Sequence, residues 1–530
     1  MELVVKVITG EALAAAVELG VGAVAVPLPL TADASWWGTA ASWLAHARSR
    51  GVKFYLVWER LVRQDKRGQT AEILGAIARV EPDALVLRDL GVAREARRLY
   101  PGLTLHGAGG LGLHNSPGLG LGKAMGFSRV VLAVPVALKD LALMRRETDL
   151  ALEVAVPPGG RFPGLCFLED FPDEAGLSGA FPEAGKGDSG WLAEALEMLP
   201  ALAQLGVEAV QVGPEFSQAG LLKLVVPLFQ AVLEATPVER PRVLAAAREV
   251  WAALGEGRET AAPRSEAVST GKSFRASKGK EAAAPRLLAE ALKKRGRVWL
   301  EARGYGEAAA LAREWRGPLV VPLTPEDYRA FLPEHRRWEP RRLVWRLPAL
   351  VREAGLTFYL QALKTLTQGG YRRFAAGDWG GVALARAAGG EVFGDQTLGL
   401  LNSWALNAAR ELGVARFCLP PGARLQEALE LINLSQPESF WGYLYHFPAL
   451  AVCPREGEAA LPPRPPAGSG LRWAREGDLA VLCPEAAVPL TEVRLQQMVA
   501  PLVISLPRSG LPWGKVPPWA VPGRAERSRA

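Results

Sequence analysis

The chain has 530 residues, 49% of them hydrophobic and 22% charged, with a formal net charge of +7 and a pI near 9.3. This length predicts two or three domains, and the composition is ordinary for a globular protein. No run of 18 uncharged apolar residues is present, and the amino terminus lacks the features of a signal peptide, so we expect a cytoplasmic, bacterial protein without a membrane partner. The basic balance is compatible with RNA binding or with arginine spread over the surface.

Residues 1–236 alternate between short apolar runs rich in valine and amphipathic stretches of helical period. Such runs are typical of strands buried on both faces. Eight strands and eight helices over this length predict a TIM-like (β/α)8 barrel, with a doubly wound open sheet as the alternative. The predicted strands are Leu3–Val7, Ala23–Leu28, Lys53–Trp58, Ala84–Arg88, Leu103–His106, Arg129–Val134, Leu150–Val156 and Val207–Val212.

One connection interrupts this alternation, at residues 157–189, between the seventh strand and its helix. A loop of this length is usually functional or disordered, and it follows a strand, at the end of a barrel where active sites form. This loop contains an acid cluster, Glu169-Asp170 and Asp173-Glu174. Such a cluster is compatible with general acid–base catalysis, with binding of a hard cation, or with a charged loop in solvent.

Residues 255–285 have almost no apolar side chains and predict a flexible linker. We therefore expect a first domain over 1–254, a second over 286–510 and a tail over 511–530. Strands of the second domain are less regularly spaced, which predicts a divergent or incomplete α/β barrel-like half. They are Val298–Glu301, Leu319–Pro322, Leu343–Arg346, Arg372–Ala375, Glu391–Phe393, Arg416–Leu419, Ala449–Cys453, Leu479–Leu482 and Leu502–Ser505.

An internal repeat relates the two halves. Residues 105–132 align without gaps with residues 392–419, and ten of the 28 positions are identical. Shuffled sequence of this composition would give roughly two identities. Each copy predicts a strand, a glycine-containing loop, a helix, a glycine stop and a second strand. The second half is therefore an internal repeat of the first, because a period this long indicates two copies of one domain.

The loop after the fifth strand matches the pattern GxGxxG through Gly107, Gly109 and Gly112. A dinucleotide site would need an acid at the end of the next strand, and none is near Val134-Pro135. Close backbone packing, or an anion site formed by exposed amides, is therefore favoured.

Two polar residues flank this loop. His106 ends the fifth strand and is expected to point toward the barrel mouth, as a ligand-binding residue or as a satisfied core histidine. Asn115 has a counterpart in Asn402, and an asparagine after a strand can cap the next helix through its side-chain oxygen. Because Asn-Ser occurs in both halves, capping is favoured over catalysis.

Several motifs together resemble peptidase family U32, the collagenase-like peptidases. Residues 2–10 and 22–28 resemble the family's ELLAPAG and GADAVYLG, and residues 128–134 resemble SRVVLARE. The family's HASTQxNxxNS is matched from His106 to Asn115-Ser116, and its HGDYxLNxxNS from Phe393 to Asn402-Ser403. The resemblance implies a barrel with peptidase activity, or with hydroxylation of RNA bases or a quinone precursor by an iron–sulfur cluster on four cysteines.

The departures from the family concern this chemistry. This chain has four cysteines, at positions 166, 418, 453 and 483, and only Cys166 fits a family cysteine. One thiolate cannot hold a cubane cluster, so we expect no cofactor and no metal. The family's Ser-Thr-Gln becomes Ala108-Gly109-Gly110, and its EGR becomes residues 213–215.

We therefore expect a family barrel without the iron–sulfur chemistry, which binds an anionic ligand or RNA at the mouth of the first barrel. The expected partners are RNA, a small anionic ligand or a peptide. The alternative is an active peptidase or other hydrolase, or an RNA-modifying, base-hydroxylating enzyme. No catalytic residue is identified, and the expected ligand-binding residues are His106, Gly107, Gly109, Gly110, Asn115, Arg161 and Glu215.

Overall fold

A computed structural model describes residues 1–29, 32–132, 136–156, 165–166, 190–213, 218–256, 298–313, 315–420, 423–436, 439–446, 451–454, 471–476, 479–484, 488–489, 499 and 501–505. The chain forms two compact units. The first comprises residues 1–62, 66–165 and 181–271, and the second comprises residues 63–65, 166–180 and 272–530. Most of the linker predicted over 255–285 lies outside the described residues, so the domain bounds stay a prediction. Within the described part, no helix is both long and apolar enough to span a membrane.

The first unit is a closed barrel of eight parallel strands, as predicted. Seven strands pair in sequence order, and Ala209–Val212 closes the ring by pairing with both the first and the seventh. The strands are β1 (Glu2–Lys6), β2 (Ala23–Pro27), β3 (Lys53–Trp58), β4 (Ala84–Leu87), β5 (Leu105–Gly107), β6 (Arg129–Leu132), β7 (Ala151–Val156) and β9 (Ala209–Val212), with the two-residue β8 (Leu165–Cys166) outside the ring. The helices are Gly10–Glu18, Ala34–Ser49, Arg67–Val80, Leu90–Leu99, Ser116–Ala124, Leu138–Glu147, Gly190–Gln204, Ala219–Glu234 and Arg240–Glu256.

The interior of the first barrel is filled by alternate residues of these strands, mostly alanine and valine around Tyr55. Alternation places one residue in two inside the ring and the next under the helices. Both faces are therefore apolar, which is why the strands read as continuous hydrophobic runs in the sequence.

The second unit contains another closed ring of eight parallel strands. These are β10 (Val298–Glu301), β11 (Leu319–Pro322), β12 (Leu343–Arg346), β13 (Arg373–Ala376), β14 (Glu391–Gly394), β15 (Val414–Cys418), β16 (Phe440–His446) and β21 (Leu502–Ser505). Within the described residues, helices follow six of them: Tyr305–Leu311, Pro325–Phe331, Leu356–Gln368, Trp379–Ala387, Ser403–Glu411 and Leu425–Ser435. The sequence left open whether the second barrel is divergent or incomplete. The closed ring supports a divergent barrel.

The divergence lies between β16 and β21. There the chain supplies three strands of a separate sheet, in the order β18 (Leu471–Glu476), β19 (Leu479–Pro484) and β17 (Ala451–Pro454), and β8 is its fourth strand. The two-residue β20 (Val488–Pro489) pairs with β16. Two runs predicted as strands of the second half, 449–453 and 479–482, supply β17 from residue 451 onward and β19, which pair with each other in this antiparallel arrangement instead. The seventh strand of the ring is β16, which the sequence did not predict.

The repeat is also visible in hydrogen bonds that occur at equivalent positions inside each barrel. Asp89 accepts from the backbone N–H of Val62 at 2.8 Å, and Asp378 accepts from that of Val351 at 2.8 Å. Each aspartate also caps the helix that follows it. Equivalent carboxylates therefore tie equivalent loops to equivalent helices in both barrels.

Candidate functional site

The repeated loop has the same construction in each barrel. A short 3-10 turn after the strand ends at a glycine of positive φ, 81° at Gly112 and 67° at Gly399. The side-chain oxygen of Asn115 then accepts from the N–H of Gly118 at 2.9 Å, and that of Asn402 accepts from the N–H of Ala405 at 2.8 Å. Capping is thus confirmed for both asparagines, and each is fully buried.

His106 lies inside the first barrel, 5% exposed, with its ring edge-on to Tyr55 at 5.1 Å between centroids. The charged groups that act on it are Arg129, Glu2 and Lys53, each the first residue of its strand. These positions mark the amino-terminal end of the barrel. The expectation that His106 points toward the mouth is therefore wrong, because its neighbours lie at the opposite end.

Burial, together with the nearby Arg129, lowers the pKa of His106 to about 3, so the ring stays neutral. In the repeat, His106 aligns with Phe393, and Arg129 aligns with Arg416. The Arg416 guanidinium lies 5.5 Å from the Phe393 ring centroid, as Arg129 lies 5.8 Å from the Tyr55 ring. An aromatic core position holds His106 in one barrel and phenylalanine in the other, which favours the core-histidine interpretation.

A buried charge network closes the amino-terminal end of the first barrel. Arg129 donates to Glu2 at 2.6 Å and to Glu153 at 3.1 Å. Glu153 is 1% exposed and also accepts from the side-chain amide of Gln211 at 2.9 Å. Burial raises the pKa of Glu153 to about 7, although Arg129 opposes the shift. Glu2 and Arg129 fall in the quoted family motifs, and together with Glu153 they stabilise the barrel.

The mouth of the first barrel combines small residues with cations. Gly110 lies against Arg88, since a Cβ there would stand 2.7 Å from the arginine Nε. Lys6, at the end of β1, pairs with Glu59 just after β3. Gly107 and Gly109 are buried, and the predicted Arg161 and Glu215 lie outside the described residues.

The mouth of the second barrel has a different character. At the carboxyl ends of its strands, polar side chains meet above a layer that includes Trp299, Phe393 and Trp441. The guanidinium of Arg346 lies between two carboxylates, Glu301 and Glu476, at 2.7 Å from each. The acidic mouth, as we name this cluster, consists of Glu301, Arg346, Asp395, Tyr443, Glu476 and Ser505.

Asp395 is a deeply buried carboxyl group of the acidic mouth. It follows β14 and is 8% exposed. Burial raises its pKa to about 6, with Glu301 and Glu476 adding to the shift and Arg346 opposing it. A carboxyl group with such a pKa changes charge near neutral pH, which is a property of acid–base and ligand-binding sites.

Two cysteines, Cys418 and Cys483, have described side-chain surroundings, and both are buried. Cys418 is buried at the end of β15, its thiol donates to the Leu419 carbonyl, and burial raises its pKa well above the ordinary value. Cys483 is buried in the small sheet and donates to the Arg472 carbonyl. Within the described ranges, no group of three or more cysteine, histidine or acidic side chains could hold a metal ion.

Comparison with known families gives one match to a family model. Residues 35–158 match the model described as peptidase family U32. The resemblance to this family is confirmed for that part of the chain. The matched residues run from the helix after β2 to the end of β7, and they include the first copy of the repeated loop.

A curated relative of this chain is the tRNA hydroxylation protein P of Haemophilus influenzae, 28% identical over 128 residues. The match covers 24% of this chain and 28% of the length of that protein.

Among solved structures, a U32 peptidase aligns over 31% of this chain and 70% of its own, at 14% identity and a TM-score of 0.25. The thiamine phosphate pyrophosphorylase of Pyrococcus furiosus aligns over 48% of this chain and 96% of its own, at 10% identity and a TM-score of 0.26. Scores this low add nothing to the barrel assignment, which rests on the strand order.

The sequence pointed to the first mouth and did not identify the acidic mouth. A signal was nevertheless present, because Glu301, Arg346 and Ser505 each end a predicted strand. Asp395 also occupies the acidic position of the family's HGDY motif, whereas the first copy has Ala108 there.

Proposed function

We propose that this chain binds RNA at the mouth of its first barrel and acts in RNA modification without an iron–sulfur cluster of its own. The observation that carries the proposal is the sequence similarity to a tRNA hydroxylation protein. The formal net charge of +7 agrees with an anionic partner.

The loop after β3 is the best-described basic surface of that mouth. Arg60 and Lys66 of this loop are exposed. Arg63 lies between them but belongs to the second compact unit, where it pairs with Glu427. Parallel strands place this loop at the carboxyl-terminal end of the barrel, where Lys6, the last residue of β1, and Arg88, which follows β4, also lie. Cations clustered in this way can neutralise backbone phosphates without reading the sequence.

A peptidase is the weaker alternative for the described residues. Burial raises the pKa of the Cys418 thiol well above its ordinary value, which makes this thiol a poor nucleophile. The His106 imidazole is enclosed at the other end of the first barrel. An RNA-modifying role needs neither group as a nucleophile.

Replacing Arg60 and Lys66 together by alanine should weaken the binding of bulk tRNA, on the order of tenfold at 0.1 M salt. The slope of log K against log salt should fall by roughly 1.5, because each phosphate contact contributes about 0.7 to 0.9. Filter binding across a salt series measures both quantities.

A matched control removes two cations from the opposite end of the same barrel. Arg98 and Lys123 lie in the last turns of their helices, and their side chains are 61% and 59% exposed. The Arg98→Ala/Lys123→Ala variant should bind tRNA nearly as well as the unaltered chain. Equal losses in the two double variants would show diffuse attraction to the whole surface and would overturn the placement at the mouth.

A further inference from the structure

The carboxylate of Asp395 is not required by the loop in which it lies. In the repeat, Asp395 aligns with Ala108, and both loops form the same 3-10 turn and the same asparagine cap. The first barrel therefore builds this loop without a charge. Burying an ionised carboxylate is unfavourable unless partners offset the cost. The presence of Asp395 is therefore not explained by the stability of this loop.

Asp395 has unused capacity to accept hydrogen bonds. Its Oδ1 accepts from the N–H of Gln396 at 2.7 Å. Among the described residues, its Oδ2 receives only the Tyr443 hydroxyl, at the long distance of 3.4 Å. A carboxylate can accept about four hydrogen bonds. At 8% exposure this oxygen is largely shielded from water, so a donor from a ligand would complete its coordination.

The charges of the acidic mouth do not balance. Glu301 and Glu476 share the single cation Arg346, and Asp395 adds a third carboxylate. When all groups are ionised the cluster carries an excess of two negative charges. The side chains of Glu301, Arg346 and Glu476 are 12%, 19% and 16% exposed, so the cluster is within reach of solvent.

Aromatic rings complete the surroundings of Asp395. Tyr443 stands next to Trp441, with ring centroids 5.3 Å apart, and the Trp441 indole N–H donates to the Gly394 carbonyl at 2.9 Å. A carboxylate beside aromatic rings is the environment that recognises ammonium groups, through charge pairing and cation–π attraction.

We propose that the acidic mouth binds an organic cation, specifically a primary ammonium group, with Asp395 as its counter-ion beside Tyr443 and Trp441. This site is in the second barrel and is independent of RNA binding at the first. Its ligand class is a small aliphatic amine.

Isothermal titration of the full-length chain with cadaverine at pH 7.5 tests the proposal. The unaltered chain should bind, and Asp395→Asn, which keeps shape but removes charge, should weaken binding at least tenfold. Glu326→Gln removes one negative charge from an exposed position of the same unit and should leave the affinity unchanged. The neutral analogue pentan-1-ol should not bind.

The pH dependence gives a second test that needs no variant. The groups facing Asp395 are Glu301, Arg346, Cys418, Tyr443 and Glu476. Because the pKa of Asp395 is about 6, lowering the pH from 7.5 to 5 should protonate it and weaken cadaverine binding about tenfold. Absence of binding by the unaltered chain, or equal affinities for Asp395→Asn and Glu326→Gln, would overturn the proposal. In either case tRNA binding by Asp395→Asn should be unchanged, which separates this site from the proposed function.

Discussion

Replacing Arg129 by methionine is expected to lower the free energy of unfolding of the first barrel by about 3 to 5 kcal/mol. Arg129 is the cation that pairs with both Glu2 and Glu153, and Glu153 is 1% exposed. Without the guanidinium, a buried carboxylate keeps its desolvation cost and loses its charged partner. Urea denaturation followed by circular dichroism measures the change.

Two further variants identify the cause. Arg129→Met combined with Glu153→Gln should recover part of the loss, because the amide carries no charge to leave unpaired. The repeat offers a matched control in Arg416, which lies 3.5 Å from Glu391, where both side chains are about a third exposed. Arg416→Met should cost less than about 1 kcal/mol, as is usual for such pairs. A loss below that value for Arg129→Met would contradict the buried network.

Replacing Asp378 by alanine is expected to cost about 3 kcal/mol, because each buried donor left without an acceptor costs about 1 to 3 kcal/mol. Asp378 is 2% exposed and accepts from the backbone N–H groups of Gly381 at 2.7 Å and Val351 at 2.8 Å. Both donors lose their acceptor in the variant. The fall in melting temperature of the full-length chain measures the effect.

The control for Asp378 is an exposed cap of the same chemistry. Asp33 accepts from the N–H of Trp36 at 2.9 Å at the surface, where water can replace the lost acceptor. Asp33→Ala should therefore cost only about 1 kcal/mol. Asp378→Asn keeps an acceptor oxygen and should fall between the two. Similar costs for Asp33→Ala and Asp378→Ala would show that Asp378 is only a helix cap.

The strands of the first barrel could be predicted because all are short apolar runs between helical stretches, and Lys53–Trp58 has the predicted bounds. In the second half, β16 reads FWGYLYH, whose glycine and tyrosines interrupt the aliphatic run from which the other ring strands were predicted. The runs at 449–453 and 479–482 look like barrel strands locally, but their pairing is antiparallel and lies in another sheet. Local pattern predicts that a strand forms, and tertiary contacts decide which neighbour it joins.

The sites show the same limit. Capping by Asn115 and Asn402 was predictable, because it depends on residues only three positions away. Which end of the barrel His106 faces depends on the stagger between strands, which is not encoded in β5 itself. The acidic mouth gathers residues from β10, β12, β16, β18 and β21 and from the loop after β14, so it becomes visible only once the second ring is known to close.

We propose a barrel related to the U32 family that carries no iron–sulfur cluster and binds RNA. The most direct test of this claim is the iron and acid-labile sulfide content of the full-length chain after anaerobic purification. The claim predicts neither element above trace amounts and no cluster absorption band. Stoichiometric iron and sulfide, lost in Cys166→Ala, would contradict it.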